Sequence, residues 1–298
     1  MNFHKHAKAG KNLMPSSDFE TLLLTTAAGA EITGLDLSVP LSGNIVDEIR
    51  EVWLQHGVLF FRDQNLEPKQ LLHVAEYFGE TMPYPLLKGL EGFPDITVVS
   101  KMEHEEANYG GIWHSDTTYL KIPPMASLLY SMEVPEHGGD TLFANQILAF
   151  ESLSEPMQRL LSGLTAINTA GNPAIVSTRS ERIQDSGSGI QAEQFEAEHP
   201  AVITHPETGK KALFVNRAHT QGFQELSEKE GKALLDFIFV HQVRTELCCR
   251  FKWTPGTLAF WDNRSMQHYP LNDYHGHRRI MHRITLRGEK PFLKLGSE

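Results

Sequence analysis

Cysteine is scarce in this chain. There are two, Cys248 and Cys249, and they are neighbours. Disulfide geometry suits an adjacent pair poorly, so no covalent framework is available. This favours a reducing, cytoplasmic setting, with the pair serving as small apolar fillers in a strand. Long apolar runs are also missing, which leaves no membrane-spanning candidate and no membrane partner. Segment 1–17 is polar and lacks the apolar centre of a secretion signal, so it reads as a flexible tail. Positive charge is in deficit: 27 Lys and Arg stand against 37 Asp and Glu, a net charge of −10. That balance excludes a broad nucleic-acid-binding face, but not a small basic pocket. Internal repeats and an interdomain linker are absent too. What is left is ordinary for a globular protein: 298 residues, 40% hydrophobic and 21% charged. We read a single domain from residue 18 to residue 298.

Short strands with a few helices fill that domain. Leu22–Thr25 and Ala28–Leu37 read as two strands around a glycine-containing turn. Ser42–His56 is predicted helical, with Gly57 as its stop. Val58–Phe61 is a continuously apolar buried strand. A second helix spans Glu67–Phe78 with Pro68 in its first turn. Further strands are predicted at Asp95–Ser100, Ala126–Glu133, from Thr141, at Arg250–Trp253 and at Thr257–Trp261. Gln146–Leu164 reads as one helix and Ser227–Arg244 as another, the latter opened by a Ser227/Glu230 capping box. Pro200–His205 and Lys211–Asn216 form a hairpin. Residues 172–200 lack periodicity and read as a lid or, equally, as a solvated insertion without function. The sum is a mainly β fold with helical decoration, a β-sandwich or jelly roll.

The chemistry starts at Trp113-His114-Ser115-Asp116-Thr117. The surrounding residues favour a strand, and in a strand His114 and Asp116 project to one face. An imidazole and a carboxylate there supply two of the three ligands of a facial iron site, whose other positions stay open. Alone, His-x-Asp is as readily a histidine hydrogen-bonded to a nearby carboxylate. His268, within Gln267-His268-Tyr269, is the candidate third ligand; His275, His277 and His282 are rivals. Further on, Arg279-Ile280-Met281-His282-Arg283 read as a strand places Arg279 and Arg283 on one face. Buried guanidinium groups are costly unless paired. Nothing acidic lies close in sequence to pair both, and a small anion would do so. Surface exposure or structural carboxylates are the alternative.

These residues, taken together, match a family. The chain resembles the Fe(II)/2-oxoglutarate-dependent dioxygenases of the taurine and 2,4-dichlorophenoxyacetate group. The resemblance runs through Gly29–Leu37, His56–Gln64, Phe78-Gly79-Glu80, Trp113–Asp116, Gly138–Thr141, Trp261–Arg264, Gln267–Tyr269 and Arg278–Arg283. It implies a double-stranded β-helix, a jelly roll of the cupin-like kind. It implies Fe(II) bound by His114, Asp116 and His268, with 2-oxoglutarate and O2 as cosubstrates. Arg279 would pair with the distal carboxylate of 2-oxoglutarate, and Thr141 would hydrogen-bond to the same molecule. Arg283 would lie near cosubstrate and substrate, and Thr117 would line the pocket. The implied reaction hydroxylates a small anionic substrate (a sulfonate, alkyl sulfate, or aryloxy or carboxylic acid) while 2-oxoglutarate becomes succinate and CO2. A homo-oligomer, dimer or tetramer, is expected by the same resemblance.

The chain departs from the taurine enzyme at two pocket positions. Tyr84 stands where that enzyme has a sulfonate-binding histidine, and His219 where it has a phenylalanine. These changes argue against taurine itself, and residues 84–94 look more like the aryloxyalkanoate-degrading members. Two other readings use the same residues. A non-enzymatic anion-binding or scaffold jelly roll would not need the intact ligand set. A zinc hydrolase would leave Arg279 without a role.

Overall fold

The computed structural model describes residues 18–179, 183–184, 187–190 and 195–294. The expected tail 1–17 and parts of the expected lid 172–200 lie outside the described residues. The larger layer is a nine-stranded sheet. Its order is Glu20–Leu23, Ala30–Thr33, Val58–Phe61, Leu258–Asp262, Ala126–Glu133, Arg279–Leu286, Phe93–Lys101 and Gly89–Leu90, with Thr81–Met82 pairing to Arg279–Leu286. Its pairings are antiparallel, apart from the parallel contact of Ala30–Thr33 with Val58–Phe61. Facing it is a small sheet ordered Cys248–Phe251, Thr141–Asn145, Met266–Pro270. Together they make the jelly roll that the resemblance implies. A third sheet of Glu196–Pro200, Thr165–Thr169 and Thr220–Phe223, and the hairpin Val202–Thr204 with Lys211–Leu213, extend it.

Both faces of the large sheet are covered, which is why Val58–Phe61 is apolar throughout. Val58 and Phe60 point into the sandwich with Phe143, Phe251, Trp261 and Met281. Leu59 and Phe61 point the other way, onto the helices Gly43–His56 and Pro68–Glu76. Phe60 stacks on Phe251 across the sandwich at 3.7 Å, and Trp53 of the first helix stacks on Phe260 at 4.4 Å. Each such buried side chain contributes about 1.5–3 kcal/mol. Cys249 joins the sandwich interior as an apolar filler.

The helix ends follow local rules. Ser42 caps Gly43–His56 by accepting from the Ile45 N–H, and Gly57 closes it at φ 75°. A side chain there would also collide with Met266, since an added Cβ would lie 2.5 Å from its Sδ. The Ser227/Glu230 capping box opens Glu228–His241 as predicted. Gln146–Leu164, however, is two helices rather than one: Gln146–Glu151 and Glu155–Ser162. Ser154 is extended as the cap of the second helix, and Pro156 in its first turn cannot continue a preceding helix.

One buried ionic cluster pins the turn between Leu258–Asp262 and Met266–Pro270. Arg264 grips Asp262 with Nε to Oδ1 and Nη2 to Oδ2, both at 2.8 Å. His205 donates from Nε2 to Asp262 Oδ2 at 2.8 Å, its Nδ1 being occupied as an acceptor for Glu207 and Thr208 N–H groups. Burial pushes the Asp262 carboxyl up, but the adjacent Arg264 guanidinium outweighs it and holds the group well below the usual range. This contribution is present above the ordinary aspartate pKa and lost as pH falls through the depressed folded value. Asp262→Ala takes the carboxylate from both the Arg264 guanidinium and the His205 ring N–H and is expected to cost about 3–5 kcal/mol, measured by urea unfolding at neutral pH. The deficit relative to wild type should shrink in strong acid.

Candidate active site

His114 and His268 are tied backbone to backbone. His114 N–H donates to the His268 carbonyl at 3.0 Å, and His268 N–H returns the bond at 2.8 Å. This reciprocal pair sets the two rings side by side, with centroids 4.1 Å apart. His268 belongs to Met266–Pro270, in the middle of a ladder with Thr141–Asn145. The expected strand around His114 and Asp116 is absent. His114 forms only an isolated bridge, and the chain turns at Asp116. Thr117 adopts φ 45°, a left-handed conformation that a β-branched residue rarely takes. The turn, rather than strand alternation, aims the carboxylate.

The geometry still converges. His114, Asp116 and His268 each offer one ligand atom, and these atoms lie within 4.8 Å of one another. His114 Nδ1 is engaged with the Ile112 carbonyl at 2.6 Å, which leaves Nε2 free for a metal, 3.6 Å from Asp116 Oδ1. Gly110 borders that nitrogen: a Cβ there would stand 3.4 Å from Nε2 and crowd the approach. Nδ1 of His268 is buried without a hydrogen-bond partner among the described residues.

Burial pushes His114 down to about 4, although Asp116 pulls the other way. His268 is also well below the usual imidazole range, from burial and then from the neighbouring His114. For Asp116, burial works upward, but Arg283 and the two histidines outweigh it and keep the carboxylate ionised. Two neutral imidazoles and one carboxylate are the donor set that suits a ferrous ion with open positions.

A chain of hydrogen bonds orients Asp116. Trp261 Nε1 donates to Asn263 Oδ1 at 2.9 Å, Asn263 Nδ2 donates to Ser127 Oγ at 3.0 Å, and Ser127 donates to Asp116 Oδ2 at 2.6 Å. Sequence reading assigned no role to Ser127 or Asn263; Asn263 sits within the motif 261–264, which was the available signal.

Arg279 and Arg283 project from Arg279–Leu286 into the same cavity as the three ligands, alongside Thr141, Thr117 and Tyr84. They share the Met281 face, while Ile284 and Leu286 pack toward the helices. Arg279 is 4% exposed, and its Nε and Nη2 lack partners among the described residues. Thr141 Oγ1 accepts from Trp253 Nε1 at 2.9 Å, and that indole lies 5.4 Å from the Arg279 guanidinium carbon. Arg283 reaches Asp116 Oδ1 at 3.5 Å through Nη1, while its Nε and Nη2 find no partner among the described residues. His219 is fully buried behind the cavity, edge-on to Tyr119 at 4.9 Å and to His114 at 6.3 Å. The rival His282 lies on the opposite face of its strand from Arg283, paired across from Val98 and Tyr130.

The family model for taurine catabolism dioxygenase TauD, TfdA family, matches residues 20–285. The chain belongs to the TauD/TfdA family. Its relatives include an alkylsulfatase from Acinetobacter baylyi, 34% identical, with 92% of this chain and 87% of that protein covered. An alpha-ketoglutarate-dependent sulfate ester dioxygenase from Pseudomonas putida is 33% identical over 88% of this chain and 87% of that one. The crystal structure of a taurine dioxygenase from Burkholderia xenovorans superimposes with a TM-score of 0.79 at 32% identity, covering 92% of each chain. As a member of the TauD/TfdA family, the protein is an Fe(II)- and 2-oxoglutarate-dependent dioxygenase.

Ser127→Ala should free one carboxylate oxygen of Asp116 and weaken Fe(II) binding roughly ten- to a hundred-fold with the fold intact. Anaerobic metal titration with circular dichroism as control measures this; unchanged affinity would show that the hydrogen-bond chain does not orient the carboxylate.

Proposed function

We propose that His114, Asp116 and His268 hold the Fe(II), that Arg279 binds the distal carboxylate of 2-oxoglutarate with Thr141 beside it, and that Arg283, Tyr84 and Thr117 face the organic substrate. The observation that carries this is the coexistence, in one buried cavity, of a converging His-Asp-His set and a guanidinium with two unused donors. When bound, the ion and 2-oxoglutarate supply oxidative decarboxylation to succinate and CO2 and the means of hydroxylating a C–H bond with O2.

The chain's own residues do the rest. Arg279 offers the planar fork that a carboxylate matches, in surroundings where such a contact is stronger than in water. Val99, Leu129 and Phe143 give the cavity apolar walls that exclude water. Arg283 supplies positive charge on the substrate side. The proposed substrate is a small organic anion, in keeping with relatives named for sulfate esters, sulfonates and 2,4-dichlorophenoxyacetate. His219, buried behind His114 and Tyr119, acts in this reading through the pocket wall.

The same proposal treats 18–298 as one dioxygenase domain with 172–200 as a lid. Support for the lid is that Arg179, from this segment, lines the cavity. It also includes a homo-oligomer, for which the exposed Leu22 and Leu23 on the edge strand Glu20–Leu23 offer an apolar contact strip, and a cytoplasmic setting, which the free thiols of Cys248 and Cys249 suit. Among the described residues, no helix is long and apolar enough to cross a membrane.

Succinate formation from 2-oxoglutarate with Fe(II), ascorbate and a panel of sulfates, sulfonates and aryloxy acids tests the assignment. His114→Ala, Asp116→Ala and His268→Ala should each abolish Fe(II) binding and turnover. Arg279→Met should weaken 2-oxoglutarate binding about 10- to 150-fold, the loss of about 1.5–3 kcal/mol, with metal binding retained. Iron-dependent turnover surviving Asp116→Ala would refute the ligand assignment.

A further inference from the structure

Arg179 has no chemical role in the assignment above. It follows the short helix Pro173–Val176 and lines the cavity that holds Asp116 and Arg283. It is 4% exposed, and its Nε and Nη1 have no hydrogen-bond partner among the described residues. Its guanidinium carbon lies 5.9 Å from the ring centroids of both Tyr109 and Tyr119. These aromatic contacts stabilise the cation but leave its N–H groups unused. Arg283 repeats the pattern, with its carbon 4.2 Å from the Tyr84 centroid and two nitrogens without a partner among the described residues. Among the described residues, the carboxylate that acts on both is Asp116. One carboxylate that is also the proposed metal ligand does not balance two buried cations.

The three tyrosines point to what does. Tyr109 donates its hydroxyl to Tyr84 at 3.0 Å, and Tyr119 donates to the same oxygen at 3.5 Å. The Tyr84 oxygen therefore accepts twice, and its own proton is left to give to a ligand in the cavity.

We propose that Arg179 and Arg283 together form a two-guanidinium receptor for the head group of the primary substrate, and that this head group is a sulfate ester or a sulfonate rather than a carboxylate. The proposal rests on the assignment of the metal and 2-oxoglutarate sites made above. A carboxylate has two oxygens in one plane, and one arginine fork takes the facing lone pair of each, leaving only the outward lone pairs, which cannot meet a second fork with two parallel bonds on the same side. The second guanidinium would keep at most a single bond to it and stay desolvated with donors unused, which is costly. A sulfate ester or sulfonate presents three terminal oxygens in a tetrahedral array. One oxygen pair can meet each fork, with a shared oxygen between them, and lone pairs remain for the Tyr84 hydroxyl.

The test uses anaerobic protein loaded with Fe(II) and 2-oxoglutarate, titrated calorimetrically with alkyl sulfates, alkanesulfonates and alkanoates of matched chain length. Wild-type protein should bind the sulfates or sulfonates at least ten-fold tighter than the alkanoates. Arg179→Met should weaken sulfate or sulfonate binding about 10- to 150-fold, the loss of a charge-assisted hydrogen-bond pair, and erase the preference over alkanoates. Arg179→Lys should recover part of the affinity. In turnover, the loss should fall on KM more than on kcat. Throughout, the Kd of 2-oxoglutarate should stay within about three-fold of wild type, since Arg279 binds it independently.

Unchanged sulfate binding in both variants, an alkanoate preference in wild type, or no binding of any sulfate or sulfonate by protein that does bind 2-oxoglutarate would overturn the receptor. So would a fall in 2-oxoglutarate affinity in step with that for sulfate, which would make Arg179 a structural residue. Wild-type protein unable to bind Fe(II) and 2-oxoglutarate would instead remove the underlying site assignment.

Discussion

Two backbone hydrogen bonds between His114 and His268 hold the site together. Residues paired in this way have fixed spacing and fixed side-chain direction, so two imidazoles distant in sequence become neighbours without any contribution from a metal. One partner is anchored in the ladder of the small sheet; the other is an isolated bridge at the end of a loop. The ladder strand therefore positions the irregular segment, and the turn at Thr117 directs Asp116 toward the same point. The ionic cluster of Asp262, Arg264 and His205 supports this from behind by fixing the turn that leads into His268.

Unpaired charge is the second organising constraint. Arg179, Arg279 and Arg283 are all at least nine-tenths buried with unused donors among the described residues. Stability alone does not favour such an arrangement, since a buried cation costs several kcal/mol unless matched. In the proposed assignment the matching anions are small molecules: 2-oxoglutarate at Arg279 and the substrate at the other two. Binding then relieves a cost already built into the fold, which favours entry of anions and rejects neutral analogues.

Much of this was legible in advance. The alternating and continuous apolar runs placed Val58–Phe61, Ala126–Glu133 and the two helices preceding Gly57 and Gly79, because both faces of the large sheet are packed. The capping box at Ser227 was legible because it depends on four consecutive residues. The single helix over Gln146–Leu164 was not correct, because apolar spacing carries across a break that Pro156 imposes. The strand assigned to His114 and Asp116 also failed. β-propensity favoured it, but the backbone at Thr117 turns left-handed under tertiary contacts, including Asn216 Nδ2 donating to Thr118 Oγ1 at 3.0 Å. Arg179 gave no local signal at all, since it lies in a stretch without periodicity and its meaning comes from the three tyrosines around it.

Residue types and their order along the chain were enough to indicate the jelly roll, the His-x-Asp and distal histidine, and the arginine strand, because each is a local pattern or an ordered set of motifs. Which donors share a cavity was decided only by the folded chain. Side-chain convergence depends on long-range strand pairing, on one strained turn and on hydrogen bonds from Ser127 and Asn263. So does the presence of Arg179 and Arg283 in one cavity, because electrostatic need is a property of the space around a charge and not of its neighbours in sequence.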